Sequence, residues 1–312
     1  MISKHVISLF AACATLAASA YAQAKAQPEE GNSSSTIVVT GRVPMTEEKA
    51  REVVRRMAKP VDGQLARFKD PVCPLVIGFQ PQYEARVAER IKAVAEAAGV
   101  GAAKEGCATN LFVVVVDDGR GLVAELHRLH PEVFAGVSKR EFDALANDEG
   151  AARSWMHTAQ TNSLGATVGV AAPKAGSTAV KYGYQGSSIT FSNVNVMRVY
   201  ESSNINPAVQ QSIGSAWVVL ETRATVGKTL AQLADYAAVR GLAMVRPGEI
   251  DGSVDTILAL FEPGSDAAPA KLTEFDQAYL KSLYHVQGQA WARQQTRQMA
   301  DSIAREGGKA AP

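Results

Sequence analysis

Leu111-Phe112-Val113-Val114-Val115-Val116 decides the fold. The run is apolar without interruption and ends in four β-branched valines, the pattern of a strand buried on both faces. Upstream, Leu75-Val76-Ile77-Gly78-Phe79 reads as a second short strand. Between the two, Tyr83, Val87, Ile91, Val94, Ala95 and Ala98 recur at helical spacing, and Gly99 ends the helix. Strand, helix and strand in that order predict a parallel pair joined by a crossover. Cys73 lies just before the first strand and Cys107 just before the second. Neighbouring parallel strands start side by side, so a Cys73–Cys107 disulfide is expected; two free thiols or half a metal site are the alternatives.

The flanking segments extend this unit. Thr46 is placed as the N-cap of a helix with Glu47 and Glu48 in its first turn, Ala50, Val53, Val54 and Met57 as its apolar face, and Pro60 as its stop. Leu122, Val123, Leu126 and Leu129 predict another helix, ended before Pro131. Ser138 and Glu141 have the spacing of a capping box that opens a further one. Residues 46–150 therefore form an α/β subdomain. Residues 151–312 read as an α+β subdomain: strand-like stretches at 178–184, 189–200 and 215–223 suggest a mostly antiparallel, partly exposed sheet. Helices follow at about 229–246, 273–284 and 288–306. The fold class expected is α+β, a small parallel β-α-β layer followed by that sheet and C-terminal helices.

The N-terminus reads as an export signal. Lys4 and His5 precede an apolar stretch from Val6 to Ala20, and Ala20-Tyr21-Ala22 satisfies the small-residue rule for cleavage after Ala22. Residues 1–22 are thus expected to be removed, and the mature protein to work in the periplasm or outside the cell. Cys13 lies within the signal, in a poor setting for a lipid anchor. Residues 23–45 form a polar leader interrupted by Thr36-Ile37-Val38-Val39-Thr40-Gly41, a short stretch of high β propensity. It resembles the TonB box of outer-membrane receptors, which implies strand pairing with an envelope protein. An edge strand of the chain's own sheet is the plainer reading of the same residues.

Composition excludes more than it selects. With 46% hydrophobic and 20% charged residues, the 312-residue chain has ample core. A formal net charge of +1 lacks the basic excess of a nucleic-acid binder. After the signal no apolar run is long enough to span a membrane. No Gly-x-Ser-x-Gly elbow occurs. Gly227-Lys228-Thr229 lacks the upstream glycine of a phosphate loop, because that position is Thr222. His127 and His130 have no third ligand nearby in sequence, and no cofactor is expected.

A resemblance covers about residues 215–285. A strand leads into the stripe Leu230, Leu233, Ala234, Ala237, Ala238, Gly241, Leu242 and Val245. Asp255-Thr256-Ile257-Leu258-Ala259-Leu260-Phe261 follows, then Leu272-Thr273-Glu274-Phe275-Asp276 and Leu283-Tyr284. This succession resembles the catalytic half of metzincin-type zinc peptidases, which implies a zincin-like scaffold. Aligned on Gly241, the metal positions become Ala234, Ala238 and Met244, and the general-base position Asp235. Two methyl groups and a thioether cannot replace three imidazoles on zinc. The small residues also suit close helix packing, without any peptidase ancestry. The whole chain further resembles a family of exported alphaproteobacterial proteins. Together these readings imply an exported, non-catalytic binding scaffold. An envelope hydrolase without a visible motif, or an accessory of TonB-dependent transport, is the alternative.

Overall fold

The computed structural model describes residues 45–162, 169–170, 179–181, 188–190, 195–196, 206–246, 248, 252, 254–262 and 268–309. The signal, the leader and the segment Thr36 to Gly41 lie outside them, so the export and strand-pairing expectations concern residues beyond this description.

The chain opens with α1 (Glu47–Met57), whose N-cap Thr46 accepts from the Lys49 amide. The strand β1 (Arg67–Phe68) and the unit β2 (Pro74–Ile77), α2 (Pro81–Ala98), β3 (Leu111–Val116) follow. β2 and β3 are parallel with Pro74 opposite Leu111, and Gly99 closes α2 in the left-handed conformation. Cys73 and Cys107 are disulfide-bonded across the start of the two strands, with Cα atoms 6.1 Å apart.

Next come α3 (Gly119–Leu129), a 3-10 turn at Pro131–Phe134, and α4 (Lys139–Asn147). α4 carries both bonds of the Ser138/Glu141 capping box. Then β4 (Ala152–Thr161) is followed by four short strands, β5 (Gly169–Val170), β6 (Ala179–Lys181), β7 (Ser188–Thr190) and β8 (Asn195–Val196). These form two small antiparallel pairs, β5 with β8 and β6 with β7. The chain then enters β9 (Gln210–Glu221) and α5 (Thr222–Thr225), and continues through α6 (Leu230–Leu242) to a 3-10 turn at Ile257–Phe261. It ends in α7 (Glu274–His285) and α8 (Ala292–Lys309).

β9 organises the molecule. Its one edge pairs antiparallel with β4 along the full length, and its other edge pairs parallel with β1 and then with β3. This corrects the expectation for residues 215–223. They do not belong to an exposed antiparallel sheet but form the central strand, beside the valine run, with Trp217, Val218, Val219 and Leu220 opposite Phe112 to Val115. Polar residues at its start had disguised a strand as buried as its neighbour: Gln210, Gln211 and Ser212 are all nearly inaccessible. The stretches 46–150 and 151–312 accordingly share one sheet and one core, in a mixed α/β architecture.

The main core lies on one face, where α1, α2, α6, α7 and α8 cover Val76, Val113, Val218 and Met156. α3, the first 3-10 turn and α4 cover part of the other face over Val219 and Trp155. There Phe112, Trp217, Trp155 and Phe134 stack in sequence, with ring centroids 4.1, 5.5 and 4.9 Å apart. Among the described residues no helix is long and apolar enough to cross a membrane.

Candidate functional site

The open edge of β4 is the first candidate. The Glu221 amide donates to the Ala151 carbonyl, and the register then sets Arg153 opposite Val219 and Trp155 opposite Trp217. Backbone groups alternate along a strand, so residues 151, 153 and 155 turn theirs toward β9. Ser154 and Met156 turn theirs away. Among the described residues no backbone group takes these outward donors and acceptors.

A cavity of about 280 Å³ runs along this edge. One wall comes from Lys59, Pro60, Val61 and Asp62 with Met244 and Val245; the other comes from Gly136, Val137, Ser138, Glu141 and Leu145. The first wall is held by antiparallel pairing of Ala58 with Val245 and by the Lys59 amide donating to the Met244 carbonyl. Asp62 and Gly63, both at positive φ, turn the chain back between Val61 and Gln64, and Asp62 accepts from Gln211. On the second wall Gly136 leaves room that a side chain would not, because a Cβ there would lie 2.8 Å from Thr158 Oγ1. Lys59 and Glu141 join the walls through a 2.7 Å ion pair. Burial alone would raise the Glu141 pKa; bonds from Lys59 and Ser138 bring it down to about 2.

Behind the cavity floor sits Arg240 of α6, only 7% exposed. Its Nε and Nη2 donate to Ser154 Oγ at 3.0 and 2.8 Å, and its Nη1 donates to the Tyr236 hydroxyl at 2.7 Å. Tyr236 is held edge-on against Phe261. Nothing in the sequence marked Arg240 or Ser154, which only the packing of α6 over β4 brings together.

A second, more polar cleft of about 500 Å³ opens where β3 and β9 end. Ligands of open α/β sheets gather at such strand ends. Asp117, Asp118, Arg120, Glu149, Arg153, Glu221 and Arg223 line it. Within it Glu221 accepts from Arg153 at 2.9 Å and from Arg223 at 2.8 Å. Asp118 caps α3 through the Gly121 amide.

The aligned metal positions do not fit zinc. Ala234 and Ala238 are core methyl groups, and Met244 packs against the same core. Asp235, at the aligned general-base position, is not a solvated carboxylate. It is fully buried, binds Arg90 Nε and Nη2 at 2.6 and 3.0 Å, and accepts the Leu272 amide at 2.6 Å. Burial is possible because the guanidinium crosses from α2 to neutralise it. Among the described residues, no group of three His, Cys, Asp or Glu side chains could hold a metal ion.

The histidines are dispersed. His127 lies over Phe142 with centroids 4.0 Å apart, and His130 faces Glu132. His157 sits by the bulge at Gly214, and His285 Nδ1 donates to the Lys281 carbonyl beside Gly99. No hydrogen bond or ion pair among the described residues joins any two of His157, His285, Asp235 and Glu221. Thr229 caps α6 in a capping box with Gln232, so the Gly227-Lys228-Thr229 turn is a helix entry. Comparison with protein-family models, curated proteins and solved structures finds no match to this chain.

Proposed function

We propose that this chain is an exported, non-catalytic binding protein whose ligand is an extended stretch of polypeptide laid along the open edge of β4. The observation that carries this reading is the outward backbone of Ser154 and Met156 at the floor of a cavity of mixed polarity. An edge strand with free backbone groups supplies sequence-independent hydrogen bonds to another extended chain, and the pocket beside it takes a side chain. Trp155, Met156, Val61, Val137, Leu145 and Val245 supply the apolar part of its lining.

The degenerate zincin-like scaffold belongs to the same proposal. A strand at 210–221 leads to the helix at 230–242, a turn at 257–261 and a last helix at 274–285, in the order that the resemblance implies. Asp276 ties the last two together, accepting from the Thr256 hydroxyl, the Ile257 amide, and the amide and hydroxyl of its helix cap Thr273. Export rests on the signal-like residues 1–22; a mature chain beginning at Gln23 in the host envelope is its test.

The binding test uses the mature chain, immobilised and offered a tryptic digest of envelope proteins. Peptides should be retained, and Val137→Trp, which fills the cavity, should retain none. Hydrogen exchange at the Ser154 and Met156 amides should slow when eluted peptides are returned to the protein. Equal retention by Val137→Trp, or unchanged exchange at both amides, rules the groove out.

A further inference from the structure

Arg240 raises a question that the groove alone does not answer. A guanidinium removed from water is costly unless an anion compensates it. Arg240 is buried, yet it bonds only two hydroxyls, Ser154 and Tyr236, with the Tyr236 ring 5.6 Å from its guanidinium carbon, and no carboxylate stands within ion-pair distance of it among the described residues. The carboxylates whose charge reaches the Tyr236 hydroxyl, Asp148 and Glu262, do not bond to Arg240. Of the other buried arginines, Arg153 has Glu221, whereas Arg67 bonds only the Leu283 and Val286 carbonyls at the C-terminal end of α7, and burial lowers its pKa.

Ser154 relays this charge toward the cavity. Its oxygen accepts two bonds from Arg240, which occupies both lone pairs. What remains is one O–H, polarised by the cation behind it and without an acceptor among the described residues. Ser154 lines the cavity, and its own backbone is one of the outward strand positions. The charged groups at the cavity rim are otherwise engaged: Lys59 with Glu141, and Asp62 with Gln211.

We infer that the groove receives the C-terminal end of a polypeptide, its terminal carboxylate accepting from Ser154 beside Arg240 and its last side chain, an apolar one, entering the cavity. The assignment rests on the proposed binding of an extended chain to β4 and adds which part of the chain is read. A charge-assisted bond to a carboxylate is stronger than a neutral one, which gives the end of a chain its advantage over an internal carbonyl. The anion supplies the charge that Arg240 lacks.

The test uses fluorescein-labelled octapeptides of alanine and threonine ending in Leu, Val or Phe, each made as the free acid and as the amide. Fluorescence anisotropy with the mature protein should show the acids binding at least about ten-fold more tightly than the amides, the size of one charge-assisted bond. Ser154→Ala and Arg240→Gln should bring acid and amide to the same affinity. Arg240→Lys, which keeps the charge, should retain part of the difference if Arg240→Gln proves too unstable to assay. Acids and amides binding the wild type equally would overturn the carboxylate assignment and leave strand addition standing. Binding of neither form would overturn both.

Discussion

Arg90 of α2 and Asp235 of α6 form a two-bond ion pair in which the carboxylate is fully buried while the guanidinium is 43% exposed. The same carboxylate accepts the Leu272 amide, so one side chain ties α2, α6 and the entry to α7 together. The position aligned with a peptidase base thus serves as a tertiary clamp.

The asymmetry of that pair sets an order of costs. Arg90→Met leaves a buried carboxylate with one amide for company and should destabilise by about 3 kcal/mol, the low end for breaking a buried pair because Arg90 is partly solvated. Asp235→Asn removes the charge but keeps an acceptor for Leu272, and should cost about 1 kcal/mol. The double variant should be more stable than Arg90→Met alone. Urea unfolding measures all three; a double variant less stable than Arg90→Met would refute the clamp. Added zinc should shift none of the melts.

The helix that carries Asp235 also tests close packing. Gly241 faces Leu111, and a Cβ there would lie 2.8 Å from Leu111 Cδ1. Both residues are buried, so Gly241→Ala forces Leu111 to move within a filled core. A loss of about 1–2 kcal/mol is expected despite the better helix propensity of alanine. Ala238→Leu should cost about 1–3 kcal/mol for the same reason. A neutral result for both, by thermal or chemical unfolding, would mean that α6 stands farther from β3 than described.

The Cys73–Cys107 bond closes a loop with a sequence separation of 34. In the chain-entropy picture such a loop stabilises by about 3–4 kcal/mol. Reduction, or Cys73→Ser with Cys107→Ser, should lower stability by up to that amount while leaving the helical content of the folded protein unchanged. Thiol labelling of the unreduced, unfolded mature chain should find no free cysteine; two labelled thiols would exclude the bond.

Acid should loosen the wall of the groove. The Glu141 pKa is about 2 in the folded protein against an ordinary 4.5. A depressed carboxylate contributes stability that is fully present above pH ~4.5 and is lost as the pH falls from there through about 2. The pair with Lys59 is more than a third exposed, so its share is about 1 kcal/mol or less after screening. Glu141→Gln should remove this part of the acid dependence. An identical stability profile between pH 5 and 2 in that variant would show that the tie is absent in solution.

Much of the fold is legible in local pattern, and the failures have a common cause. The valine run, the helix between Pro81 and Ala98, and the capping boxes at Ser138 and Thr273 all announce themselves through neighbours in sequence. β4 does not, because Arg153, Ser154 and His157 interrupt its apolar residues and each is explained only by a distant partner: Glu221, Arg240 and the bulge at Gly214. The burial of β9 is hidden for the same reason, since its polar residues Gln210, Gln211, Ser212 and Glu221 are buried against other elements. The cavity escapes sequence reading altogether, because its walls come from residues 59–62, 136–145 and 244–245 and meet only when β9 inserts between β3 and β4.

Gly119 and Arg153 offer the sharpest test of one such distant partnership. Gly119 is the first residue of α3 and is buried; a Cβ there would lie 2.6 Å from Arg153 Nη1 and 3.3 Å from Val219 Cγ1. Arg153 uses that same Nη1 to reach Glu221 at 2.9 Å and bonds the Asp148 carbonyl through Nη2. Gly119→Ala must therefore push the guanidinium away from Glu221 or lift the start of α3. Displacing a fully buried cation from its carboxylate should cost about 2–4 kcal/mol, softened because Glu221 keeps Arg223. The backbone of Gly119 does not occupy the positive-φ region, so the conformation itself suits alanine. In an Arg153→Ala background only the 3.3 Å approach to Val219 Cγ1 is left, and Gly119→Ala should become close to neutral as the lower chain entropy of alanine offsets it. The effect of one methyl group thus depends on the residue 34 positions away. A double-mutant cycle by urea unfolding reads this directly: equal costs of Gly119→Ala in both backgrounds would place Arg153 somewhere other than beneath α3.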